Sequence, residues 1–119
     1  MYQYKCWVVA WVDGDTVDLL VDLGFEISVK KRVRVYGLNT PETRSKNAAE
    51  KAAGVKAKRF AEAIAPAGCE VKVVSHKAAK EQEKFGRWLA DITTPDGKDF
   101  RAEMLAARHG VEYYGGKRT

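Results

Sequence analysis

The sequence predicts a mainly β, α+β fold, and three observations point to it. Apolar and polar residues alternate with a period of two, as in Val17, Leu19, Val21 and Leu23 against Thr16, Asp18 and Asp22. Turn signals cut these runs short, at Asp13-Gly14, at Gly24 and at Pro95-Asp96-Gly97. The period shifts to that of a helix where Ala53, Ala57, Phe60, Ala61 and Ile64 fall on one face. The resulting order is βββ-α-ββ-α. Five short strands with a helix after the third suit a small Greek-key barrel of the OB type, with two or three packed helices. At 119 residues, one domain over 1–119 is expected. Residues 112–119 read as a flexible basic tail.

The elements follow in order. Residues 2–12 form a first strand, rich in the β-favouring Tyr2, Tyr4, Trp7, Val8, Val9, Trp11 and Val12. Asp13-Gly14 is a strong two-residue hairpin signal, leading into a second strand over 15–23. The third strand, over 25–36, places Phe25, Ile27, Val29, Val33 and Val35 on one parity. Ser28, Lys30, Arg32 and Arg34 lie on the other. After the Asn39–Lys46 loop, Ser45 or Asn47 caps a helix that ends near Ala65, ahead of Pro66 and Gly68. A fourth strand covers 69–74, a charged connection 75–86, and a fifth strand 87–93. A second helix spans about 100–109 and packs Phe100, Met104 and Leu105, with Gly110 where a C-cap belongs.

The net charge of +5 and pI near 9.2 favour a polyanionic partner, nucleic acid first. Cys6 and Cys69 lack metal-ligand spacing and read as buried thiols. No run approaches the roughly 20 apolar residues of a membrane span. The N-terminus lacks the pattern of a secretory leader, so the chain is expected to be cytoplasmic, unless a leader has been trimmed. A monomer is expected. Small size, the missing leader and the tail Gly115-Gly116-Lys117-Arg118 fit a phage or prophage origin.

Among recognition motifs, Gly116-Lys117 is no phosphate-binding loop. Asp13-Gly14-Asp15-Thr16-Val17-Asp18 begins like a calcium loop but lacks its sixth-position glycine and closing glutamate. His76 and His109 stand without partner motifs. The positive case joins three segments: Asp13-Gly14-Asp15-Thr16-Val17; Arg34-Val35-Tyr36-Gly37-Leu38-Asn39-Thr40-Pro41-Glu42; and Lys84-Phe85-Gly86-Arg87-Trp88-Leu89-Ala90. Singly they read as a hairpin turn, a helix-entry loop and a strand arginine. Together, in this order, they resemble the staphylococcal nuclease, or thermonuclease, family, from about Trp7 to Gly110.

The resemblance implies a Ca²⁺-dependent nuclease that cleaves DNA and RNA at the 5′ P–O bond and leaves 3′-phosphate ends. It implies that Asp15 and the main-chain carbonyl of Thr40 hold the metal, with Asp13 just behind. Glu42 acts on the attacking water, and Arg34 and Arg87 hold the phosphate. Lys84 and Phe85 lie toward the substrate. Two positions depart from the family pattern. Asn39 stands where a second aspartate ligand is usual, so another divalent cation is open. Phe85 replaces a tyrosine and loses its hydroxyl. The chemistry suits these residue types, since guanidinium forks match phosphate oxygens and hard cations take oxygen ligands. Strand parity raises one conflict: Arg34 lies opposite the apolar face, while Asp15 shares the parity of Val17 and Leu19. The alternative is a non-catalytic OB-fold module that binds nucleic acid or protein.

Overall fold

The computed structural model describes residues 2–76 and 88–114. Five strands close into a barrel in the order β1-β2-β3-β6-β5. They are β1 (Gln3–Asp13), β2 (Thr16–Asp22), β3 (Ser28–Val35), β5 (Glu70–His76) and β6 (Trp88–Thr93). All neighbours are antiparallel except β3 and β6, which run parallel through Val33↔Trp88 and Val35↔Ala90. That single parallel seam closes a Greek-key, OB-type α+β barrel. Helix α1 (Ala48–Ile64) packs on β1, and α2 (Phe100–Ala106) packs on β6 and α1. No helix among the described residues is long and apolar enough to cross a membrane.

The barrel interior takes one parity from each strand: Cys6 and Val8, then Val17, Leu19 and Val21, then Val33 and Val35, Val71 and Val73, and Ile92. Trp11 joins the barrel to both helices. Its Nε1 donates to the Ala65 carbonyl at 2.8 Å, and its ring stacks on Phe100 with centroids 4.7 Å apart. A buried indole needs such an acceptor, and this one is the C-cap residue of α1.

Several sequence expectations are corrected here. The third strand begins at Ser28, because Gly24, Phe25 and Glu26 all take positive φ in the turn before it. Phe25, expected on the apolar face of the third strand, is therefore 97% exposed, and Ile27 is exposed with it. Ala53 is exposed, and Gly54 takes the inward position of α1 beside Ala57 and Ala61. Asn47 is the cap, its side chain accepting from the Glu50 N–H. Helix α2 stops at Ala106. Arg108 takes the left-handed conformation after it, so Gly110 is no C-cap. Two three-residue strands went unforeseen. β4 (Gly37–Asn39) pairs with β7 (Val111–Tyr113) through Leu38↔Glu112 and Asn39↔Val111. The start of the expected flexible tail, Glu112 and Tyr113, is thus built into a sheet; residues 115–119 lie outside the described residues.

Candidate functional site

The site grows from the β1–β2 turn and the loop that leaves β4. Asp15 lies in the turn, outside β2, so strand alternation does not fix its side chain. Its main-chain carbonyl accepts from the Val35 N–H at 2.9 Å, which brings the turn to the end of β3. Thr16 pairs with Arg34 across β2 and β3. The parity conflict is resolved at this turn: the Asp15 carboxylate and the Arg34 guanidinium meet, with Nη2 3.6 Å from Oδ2.

Asp15 is only 6% exposed, and its oxygens have donors. Oδ1 accepts from the Thr16 hydroxyl at 2.9 Å, and Oδ2 accepts from the Thr40 main-chain N–H at 3.0 Å. A buried carboxylate needs such partners. Asn39, 9% exposed, accepts from Arg34 Nη2 through Oδ1 at 2.8 Å. Guanidinium donates only, so the oxygen of the amide must face it. The Asn39 Nδ2 and the Thr40 hydroxyl are buried without a hydrogen-bond partner among the described residues. Tyr113 lies under Arg34, its ring centroid 5.4 Å from the guanidinium carbon, a cation–π distance.

The loop itself is held at both ends. Asp13 Oδ1 accepts from the Thr43 N–H at 3.0 Å and the Thr43 hydroxyl at 2.9 Å. Asp15 holds Thr40, and so the hairpin turn grips the loop three residues apart. Two glycines let neighbouring backbone close in. A Cβ on Gly54 would lie 2.6 Å from the Glu42 carbonyl carbon and 2.9 Å from the Pro41 oxygen. A Cβ on Gly110 would lie 2.9 Å from the Asn39 oxygen. Gly14 also serves space: its φ is not positive, and a Cβ there would press on Ala57, Met104 and Thr40.

Glu42 is exposed at the rim of this loop, and its carboxylate has no hydrogen bond or ion pair among the described residues. Lys84, Phe85 and Arg87 lie outside the described residues. Among the described residues, no three His, Cys, Asp or Glu side chains gather as a metal cluster. The oxygen donors at hand suit a hard cation in kind, namely the Asp15 carboxylate and the Asn39 amide oxygen. They bring one negative charge, already faced by Arg34. An apolar cavity of about 480 Å³, lined by Tyr4, Val21, Leu23, Val29 and Trp88 among others, is lined by none of Asp15, Arg34 or Asn39.

His76, which has no partner motif in the sequence, stacks on Tyr36 with centroids 4.0 Å apart, and its Nε2 lies 2.7 Å from Asp91 Oδ2. Tyr114 meets the Tyr36 ring edge-on. Residues that sequence reasoning missed are Thr43, Gly54, Gly110 and Tyr113. Their roles come from contacts distant in the chain, and no local pattern announces them.

A search of curated proteins finds no match to this chain. The family model described as "Staphylococcal nuclease homologue" matches residues 32–114, more than half of the chain. That span contains Arg34, Asn39, Thr40, Glu42 and Arg87; the β1–β2 turn of the closed five-stranded barrel brings Asp15 to Arg34 and Thr40. The chain belongs to the staphylococcal nuclease family.

Proposed function

We propose that this chain is a divalent-metal-dependent nuclease. It hydrolyses phosphodiester bonds of DNA or RNA at the 5′ P–O bond and leaves 3′-phosphate ends. The observation that carries the reading is the Arg34 guanidinium, fixed 2.8 Å from Asn39 and 3.6 Å from Asp15 beside a loop tied down at Thr40 and Thr43. Charge fixed before reaction is what a phosphoryl transition state requires.

Arg34 is the phosphate-binding fork. Asp15, Asn39 and the Thr40 carbonyl are the proposed ligands of Ca²⁺ or a similar ion. When bound, the ion supplies Lewis-acid polarisation of the phosphoryl group and a lowered water pKa. Glu42, exposed on the same loop, is the proposed acceptor of a proton from the attacking water. Arg87, with Lys84 and Phe85, completes the phosphate and substrate contacts by family resemblance. The working unit is taken as one domain over 1–119, acting as a monomer.

A non-catalytic nucleic-acid- or protein-binding module is the second reading. The neutral Asn39 and the lack of a three-acid cluster among the described residues favour it. Two variants decide between them. Arg87→Ala and Glu42→Gln, shown folded by circular dichroism, should each cleave DNA at least ~10²-fold more slowly, the scale of losing a preorganised group. Cleavage at the parent's rate by both would overturn the catalytic assignment.

A further inference from the structure

We infer that Arg34 is an internal cation that competes with the divalent metal for Asp15 and Asn39. The inference rests on the metal-dependent reading above and concerns what the metal must displace. One guanidinium nitrogen, Nη2, faces both candidate ligand side chains, 2.8 Å from Asn39 Oδ1 and 3.6 Å from Asp15 Oδ2. The group is nearly enclosed, with side-chain exposures of 14% for Arg34 and 9% for Asp15. Water therefore screens the pair weakly, and their attraction is strong for its distance. The Tyr113 ring stabilises the guanidinium further.

Two cations cannot share this cluster without cost. Among the described residues the candidate ligand side chains offer one carboxylate and one amide, and Arg34 already balances the carboxylate. A metal ion entering there meets a like charge and must draw Asp15 and Asn39 away from their donor. With a second carboxylate in place of Asn39, the site would keep a net negative charge even with Arg34 seated. The amide removes that surplus. In this chain the arginine thus sets the threshold for metal binding, in addition to its contact with phosphate.

Asp15 has two donors besides Arg34, the Thr16 hydroxyl and the Thr40 N–H, so its carboxylate is not left bare when Arg34 is replaced. Calorimetry with Ca²⁺ alone, without nucleic acid, compares the parent with Arg34→Met and Arg34→Lys, each checked for folding by circular dichroism. The methionine variant should bind Ca²⁺ at least tenfold more tightly than the parent. The lysine variant, which keeps the charge, should remain within a few-fold of the parent. In the parent, the Arg34 side-chain ¹⁵N–¹H signal should move as Ca²⁺ is added. Equal or weaker binding by a folded Arg34→Met protein overturns the inference, as does the absence of Ca²⁺ binding in all three. Cleavage by the parent is scored separately, so the nuclease reading survives or fails on its own.

Discussion

Gly54 of α1 lies directly against the main chain of Glu42, so close that a Cβ would come within 2.6 Å of the Glu42 carbonyl carbon and 2.7 Å of its oxygen. The helix thereby sets the height of the loop that presents the proposed base. Glycine is otherwise a poor choice at mid-helix, so its presence there marks a backbone contact that no other side chain admits.

Gly54→Ala separates the two effects. Helix propensity alone favours alanine by about 1 kcal/mol. Overpacking against backbone atoms costs about 1–3 kcal/mol. The contact should win, with a net loss of about 1 kcal/mol in urea unfolding and a clear fall in cleavage rate as Glu42 is displaced. A variant more stable than the parent, with unchanged cleavage, would show that the helix and loop are not coupled in this way.

Asn39→Asp restores a carboxylate beside Asp15. Attraction to a divalent ion is opposed by repulsion between the two carboxylates and by the ion pair that the new carboxylate gains with Arg34. A net gain of about 1.4 kcal/mol, roughly tenfold in affinity, is expected. The measurement is Ca²⁺ titration calorimetry with a non-cleavable substrate analogue present. Unchanged or weaker Ca²⁺ binding in a folded variant would remove Asn39 from the ligand set.

The Asp18–Arg32 pair predicts a pH effect on stability. Arg32 Nε donates to Asp18 Oδ1 at 2.8 Å, and this hydrogen bond holds the carboxyl below the usual range. A carboxyl depressed in the folded state stabilises the protein above its unfolded pKa, and that stability is lost as pH falls through the folded value. Arg32 is half exposed, so screening limits the contribution to about 0.5–1 kcal/mol. Asp18→Asn should therefore be less stable than the parent by that amount at neutral pH. The two curves should converge in acid, below the ordinary carboxylate range. A constant difference from neutral to acid pH would show that the ion pair is not its source.

Much of this was legible in the sequence because it is local or periodic. Val17, Leu19 and Val21 reveal their inward face by alternation, and Asn47, one of two cap candidates, sits where a cap belongs. Arg34, Asn39, Thr40 and Glu42 fall within one short motif, so the family pattern alone groups them. Long-range relations were not legible. Asp13 holds Thr43, thirty residues away, and nothing in either neighbourhood says so. β4 and β7 are three residues each, too short for alternation to show. Phe25 misled because its apolar character fits strand parity, whereas the positive φ of Gly24, Phe25 and Glu26 belongs to a turn. The conflict between Arg34 and Asp15 came from extending β2 back through a residue that lies in the turn.

Cleavage by the purified chain tests the nuclease assignment most directly. Plasmid and single-stranded DNA are incubated with Ca²⁺, with Mg²⁺ or with a chelator, and the product ends are identified. Cleavage should require a divalent cation, stop with the chelator and leave 3′-phosphate with 5′-hydroxyl ends. Intact DNA under every cation condition, or products bearing 5′-phosphate ends, would contradict that assignment.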